Sequence, residues 1–160
     1  MIRNSLLTLL VLLTLYSCSS GLKGVSPLSE EDQIREVVFR YQFEFNASGL
    51  GKSAYAYYLS IEGNDDPSPK LLKQFEGYLP QVKPVSASEL EPGTAQVIDR
   101  ETGLPGLIFW IGEVRWLSNY EVEVEGGYEE ASESGSVNIF RLEKKGDHWE
   151  VVEAQMLLIK

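Results

Sequence analysis

Four groups of side chains in this 160-residue chain have the chemistry to do something specific. Cys18 is the only thiol, so no second cysteine is present to close a disulfide with it, and its sulfur remains open to modification. Tyr41, Tyr55, Tyr57 and Tyr58 are close in sequence. Their hydroxyls could orient a small apolar ligand in a cavity, or their rings could form a packed aromatic core. His148 is the only histidine and follows the turn signal Lys145-Gly146-Asp147, where an exposed ring is the default and an acid–base role is not expected. Glu121, Glu123, Glu125, Glu129, Glu130 and Glu133 form an acidic run. It could hold calcium weakly or meet a basic partner, but calcium loops gather oxygens in a tight glycine turn, and that spacing is absent here and at Asn64-Asp65-Asp66. The run is expected to be a solvated face. A lone histidine and a lone cysteine exclude a structural zinc site. Neither a Ser-His-Asp order, nor a phosphate-cradling glycine loop, nor a nucleophile elbow occurs. No catalytic residue and no cofactor is therefore expected.

The surroundings of Cys18 are the most informative. Arg3 gives a basic start, residues 5–14 are almost entirely leucine, valine and threonine, and Leu15-Tyr16-Ser17 leads into the cysteine. A charged start, a short apolar stretch and a small residue before the cut mark a secretory signal. The stretch is too short for a spanning helix, which needs about 20 apolar residues. Leu15-Tyr16-Ser17-Cys18 resembles the lipobox of bacterial lipoproteins. That resemblance implies removal of residues 1–17, a diacylglycerol on Cys18 and acylation of the new N-terminus. At about 0.8 kcal/mol per buried CH₂, several acyl chains make a stable membrane anchor. The inner-membrane retention signal of such proteins is typically an aspartate after the cysteine, so Ser19 implies the outer membrane in a cell that has one.

The whole chain carries a net charge of −10, and loss of the signal removes only Arg3, leaving the remainder more negative still. Nucleic-acid binding, which needs a basic stripe, is excluded, as is lying flat on anionic lipid. The charge serves solubility and mutual repulsion. Cleavage leaves enough chain for one hydrophobic core, and no solenoid or propeller repeat is present.

Residues 18–28 read as the lipidated cysteine and a flexible tether of Ser, Gly and Lys, and residues 29–160 as one α+β domain. Ser29 is a natural N-cap, with Glu30, Glu31 and Asp32 complementing the helix dipole. Ile34, Val37, Val38, Tyr41 and Phe45 recur at helical spacing as one apolar stripe, and residues 46–51 end the helix. Residues 54–61 alternate like a strand, and Gly63 to Pro67 turns the chain. Ser68-Pro69 predicts the cap and first residue of a short helix through Phe75. Residues 81–86 read as extended, and Pro80 before them and Pro84 within them suit an edge strand or loop; residues 87–94 read as a loop and 95–98 as a short strand. An antiparallel meander follows: strands at 107–117 and 120–128, a polar loop at 129–135, then strands at 136–144 and 148–159. Tyr120, Val122 and Val124 should share one face and the glutamates between them the other, with Gly126-Gly127 as a bulge or bend. Trp110, Trp116 and Trp149 are expected in the core, with Arg115 outward. An exposed tryptophan would instead mark a docking patch. The fold class is α+β: an N-terminal amphipathic helix on a curved antiparallel sheet.

This order of elements resembles the cone-shaped, cystatin-like α+β fold of nuclear transport factor 2, ketosteroid isomerase and the polyketide cyclases. Gly106 to Lys160, including Gly106-Leu107-Ile108-Phe109-Trp110-Ile111-Gly112-Glu113, together with Phe39-Arg40-Tyr41 and Val82-Lys83-Pro84-Val85-Ser86, is similar to small bacterial lipoproteins of no assigned activity. The resemblance implies an N-terminal helix pair in the concavity of a bent sheet, and a pocket to which Tyr41, Tyr55 and Tyr57 could contribute. Three functions fit: a non-catalytic envelope module that binds an envelope protein or small apolar ligand, an isomerase- or cyclase-like enzyme, and a purely structural accessory. An enzyme of that type needs a base carboxylate and an oxyanion site in a dry pocket; no residue here is assignable to either. Replacing Cys18 by Ser should leave an unprocessed or mislocalised precursor, read by mobility and membrane fractionation. Normal processing and membrane association of Cys18→Ser would overturn the anchor.

Overall fold

The computed structural model describes residues 27–45 and 48–159. Cys18, the signal 1–17, most of the tether, and Asn46 and Ala47 of the expected helix end lie outside the described residues. The elements are α1 (Glu30–Phe45), β1 (Ala56–Ile61), α2 (Pro69–Lys73), β2 (Gln81–Pro84), β3 (Ser88–Leu90), β4 (Val97–Asp99), β5 (Leu107–Ser118), β6 (Glu121–Ala131), β7 (Ser134–Lys145) and β8 (His148–Ile159). The class is α+β, and the main sheet is curved and mostly antiparallel. No helix among the described residues is long and apolar enough to cross a membrane.

Six strands form that sheet in the order β2-β1-β5-β6-β7-β8, and β3 pairs with β4 in a separate ribbon. The meander β5 to β8 is antiparallel throughout. The sheet is mixed rather than purely antiparallel, because β1 runs parallel to both its neighbours. Parallel neighbours need long crossover connections, and the segment carrying α2 and the segment carrying the β3–β4 ribbon supply them. Two expected loops differ as well. Residues 88–90 pair with β4, and β6 and β7 extend to Ala131 and Ser134, which leaves only a tight turn where a polar loop was expected.

Local chemistry explains the helix starts. Ser29 Oγ accepts from Asp32 N at 3.1 Å, and Ser68 Oγ accepts from Leu71 N at 3.1 Å, so each serine caps a first turn. Ser68 Oγ also donates to Asp32 Oδ2 at 2.8 Å, which ties the two helix starts together. Arg35, itself buried, bonds Asp32 at 3.3 Å and Glu31 at 3.2 Å and pairs with Glu62 beyond β1.

The buried stripe of α1 is Ile34, Val38, Phe39, Gln42 and Phe43, rotated from the expected one. Phe45 is 61% exposed, while Val37 and Tyr41 sit at the edge of the core. Phe43 is the hub: its ring meets Tyr57 at 4.9 Å, Phe109 at 5.0 Å, Tyr78 at 5.1 Å and Phe75 at 5.5 Å. Tyr57, Leu59, Phe109, Ile111, Val122, Val124, Phe140 and Leu142 share that core from the sheet side. Trp149 is buried as expected, but Trp116 is 41% exposed and stands edge-on to the Trp149 ring at 5.7 Å. Tyr120, at the β5–β6 turn, leaves the face of Val122 and Val124 and is exposed.

Gly126 and Gly127 do not make a bulge; the register slips on β5 between Ile111 and Val114 instead. The glycines allow close approach on both faces. A Cβ on Gly126 would lie 3.1 Å from Gln42 Nε2 and 2.8 Å from the Trp110 carbonyl oxygen, and one on Gly127 would lie 1.8 Å from the Ser136 carbonyl oxygen. Gly127→Ala should therefore cost about 3 kcal/mol or more through overpacking against immovable backbone. Gly112→Ala, where the nearest atom would be 3.5 Å away, should cost under about 1 kcal/mol. Urea denaturation of both variants checks this; equal losses would contradict the close-approach reading.

Candidate binding site

Two polar groupings are built into this fold, one on each face of the sheet. The first is on the face away from α1. Along β1, Tyr57 and Leu59 enter the main core while Ala56 and Tyr58 face a smaller cluster closed by Val97 of β4. At the end of β4, Asp99 is fully buried. Its Oδ2 accepts from Tyr58 Oη at 2.9 Å and from Lys83 Nζ at 2.7 Å. Its Oδ1 accepts from the backbone N–H of Glu101 and Thr102, at 3.2 and 3.1 Å, and from Thr102 Oγ1 at 3.1 Å. Burial by itself would push the Asp99 carboxyl up, but the bonds from Lys83, Tyr58 and Thr102 together hold it well below the ordinary carboxylate range. The hydrogen bond from Lys83 to Asp99 raises the Lys83 ammonium. Desolvation first, and then the bond to Asp99, raises the Tyr58 phenol. Both carboxylate oxygens are occupied by donors of this chain, so Asp99 is a fastening of the β3–β4 ribbon to the sheet rather than a reactive group.

The second grouping is a cleft of about 190 Å³ on the α1 side. Tyr41, Gln42 and Phe45 of the last helical turns form one wall, and Tyr128, Ser136, Asn138, Phe140, Ala154 and Met156 of β6 to β8 form the other. The sheet register explains the grouping, because Tyr128 pairs with Ser136, Asn138 with Met156 and Phe140 with Ala154. Tyr41 stacks at a tilt on Phe45, centroids 4.6 Å apart, and stands edge-on to Phe140 at 5.8 Å. Asn138 Nδ2 donates to Ser136 Oγ at 2.9 Å. Gln42 is only 4% exposed; its Nε2 donates weakly to the Trp110 carbonyl at 3.4 Å, and its Oε1 has no partner among the described residues. Among the described residues, no carboxylate, lysine, arginine or histidine lines the cleft. Desolvation, with Glu130 nearby as a smaller cause, raises the Tyr128 phenol, so it stays neutral.

Of the three tyrosines expected at a pocket, only Tyr41 lines this cleft. Tyr57 is buried in the aromatic core, its phenol raised by desolvation and then by Tyr78, and its hydroxyl without a partner among the described residues. Tyr55 packs on the other face, with Lys83 Nζ 5.1 Å from its ring centre. His148 is exposed at the β7–β8 turn, its Nε2 2.9 Å from Glu150 Oε1. The acidic run is partly balanced by arginines: Glu123 pairs with Arg115, and Arg141 lies 3.7 Å from Glu121 and 3.3 Å from Glu153. No group of three or more potential ligands among the described residues is placed to hold a metal ion.

Sequence reasoning missed Gln42 and Asp99. The signal for Gln42 was a polar residue in phase with Val38 and Phe39 on the buried side of α1. For Asp99 it was an aspartate closing a short strand before the Arg100-Glu101-Thr102-Gly103 turn, where its side chain caps backbone N–H groups. No family model matches the chain, and neither a curated protein nor a solved structure matches it.

Because the folded pKa of Asp99 is depressed, its contribution to stability is present above the unfolded carboxylate value of about 4 and fades as pH falls below it. Asp99→Asn should cost about 3 kcal/mol at pH 7, because Lys83 and Tyr58 lose their charged acceptor. The deficit against wild type should narrow as pH drops from about 5 to 2. Denaturation midpoints across that range test both points; a pH-independent deficit would contradict the assignment.

Proposed function

We propose that this chain is a lipid-anchored protein of a bacterial envelope whose domain binds a small, largely apolar ligand in the α1 cleft and does no chemistry on it. The anchor rests on the lipobox-like Leu15-Tyr16-Ser17-Cys18, and Ser19 favours the outer membrane. The packing of α1 against the curved main sheet supports the cone-like reading of the architecture.

The observation that carries the binding reading is the lining of the cleft. Four aromatic rings and Met156 supply apolar surface around a polar floor of Gln42, Ser136 and Asn138. Concave, mostly apolar sites with a few polar groups that set orientation are the general form of small-molecule sites. Acid–base turnover would need a group poised to move a proton in reach of the ligand. The buried carboxylate with a strongly shifted pKa, Asp99, is on the opposite face with its lone pairs committed. These placements favour binding over an isomerase- or cyclase-like activity.

Naphthalene is a suitable first probe, being apolar, uncharged and compact. Saturation-transfer NMR on the full-length protein should show it bound. Ala154→Trp, which places a large ring at the exposed wall of the cleft without touching the main core, should remove most of that signal while leaving thermal stability within about 0.5 kcal/mol. Undiminished binding by Ala154→Trp would move the ligand elsewhere, and no binding by the wild type would count against the cleft.

A further inference from the structure

The floor of the cleft says more about the ligand than its walls do. Gln42 Oε1 is buried, belongs to a residue that lines the cleft, and accepts from nothing among the described residues. An amide oxygen carries two lone pairs, and leaving both unpaired away from water is unfavourable. The sense of the amide is also set by its neighbours. Its Nε2 bonds to the Trp110 carbonyl, and the missing side chain at Gly126 lets it lie against β6, since a Cβ there would come within 3.1 Å of Nε2. With the amino end committed to the strand, the oxygen is the end left for a ligand.

Charge narrows the class further. Among the described residues, the lining holds no carboxylate, ammonium, guanidinium or imidazole group. An anion would find no cation in the cleft and would meet the field of a chain with net charge −10. A buried cation would find no carboxylate in the lining. Size gives the last constraint: about 190 Å³ is somewhat more than the apolar cavity of about 150 Å³ that takes up benzene.

We infer that the ligand of this cleft is an uncharged, largely apolar molecule of one or two rings, or an equivalent alkyl body, carrying an N–H or O–H that donates to Gln42 Oε1. This rests on the proposed binding role of the same cleft and adds the hydrogen-bond sense and charge of the ligand.

Indole and 1-methylindole separate the two layers, since they differ in the N–H. Titrations followed by ¹⁵N–¹H NMR on the full-length protein give both affinities and place the shifts on Gln42, Asn138 and the β7–β8 backbone. Indole should bind three- to tenfold tighter than 1-methylindole. Gln42→Leu should erase that preference while still binding both, and Gln42→Met serves the same purpose should the leucine variant not fold. Equal affinity of the wild type for the two compounds would overturn the donor assignment, even with naphthalene bound. Indole-3-carboxylate binding as tightly as indole would overturn the uncharged assignment. Failure of naphthalene, indole and 1-methylindole alike would overturn the binding role of the cleft, and this inference with it.

Discussion

One 16-residue helix has to cover the apolar face of a six-stranded sheet, and it is too narrow to do so. Five inter-strand spacings of about 4.8 Å make the sheet about 24 Å across, while a helix with its side chains is about 10 Å wide. The chain closes the β1–β2 side with α2 and the residues after it, which bring Leu71 into the core and Phe75 and Tyr78 to the ring of Phe43. Among the described residues no comparable cover lies over the β8 side. On that flank α1 presents Tyr41, Gln42 and Phe45 of its last turns, and beyond them Met156, Leu157, Leu158 and Ile159 stay exposed along the edge strand. The cleft lies where the helical cover runs out, so its position follows from the length of α1 and the width of the sheet.

The opposite face meets the same shortage by other means. The β3–β4 ribbon has three residues per strand and contributes Val97 as its buried hydrophobe. So little apolar area fastens a ribbon weakly at about 25 cal/mol per Å². Asp99 supplements it with five hydrogen bonds drawn from three segments. A buried charge stabilises only when its partners are complete, and here they are. The expense is specificity of placement: Tyr58 must leave the main core for the other face of β1, and Gly106 must lack a side chain, because a Cβ there would sit 2.4 Å from the Tyr58 ring.

Much of the local structure was legible in the sequence, because its causes are local. Ser29 and Ser68 cap the helices they precede, and the Val122–Val124 alternation with glutamates gives a strand with one buried face. Errors arose where the cause was distant. The phase of the α1 stripe was misjudged by counting Phe45 and overlooking Phe39 and Phe43; hydropathy weighs these rings alike, and only the aromatic partners on β1 and β5 distinguish them. The parallel pairing of β1 with β5 joins residues about fifty positions apart and leaves no periodic trace. Gly126-Gly127 was legible as unusual but not as close approach, since the atoms that require it belong to α1, β5 and β7. The candidate site divided in the same way. Tyr41 was within reach of pattern reading, whereas the strand residues of the cleft are adjacent only through sheet register.

Buried atoms without partners help to separate structural from functional polarity in this molecule. Among the described residues they are Arg35 Nε, Tyr57 Oη, Trp149 Nε1 and Gln42 Oε1. The first three belong to side chains with other work. Arg35 spends its terminal nitrogens on Glu31, Asp32 and Glu62, and Tyr57 and Trp149 contribute large rings to packing. Gln42 has no such justification. Its single bond, at 3.4 Å, is weak, and leucine in the same place would bury comparable volume beside Phe140 without an unpaired oxygen. An amide that packs less well than its apolar counterpart gains a reason to be there when a donor arrives from outside the chain. Gln42 lines the cleft, so a donor seated there would lie beside that amide.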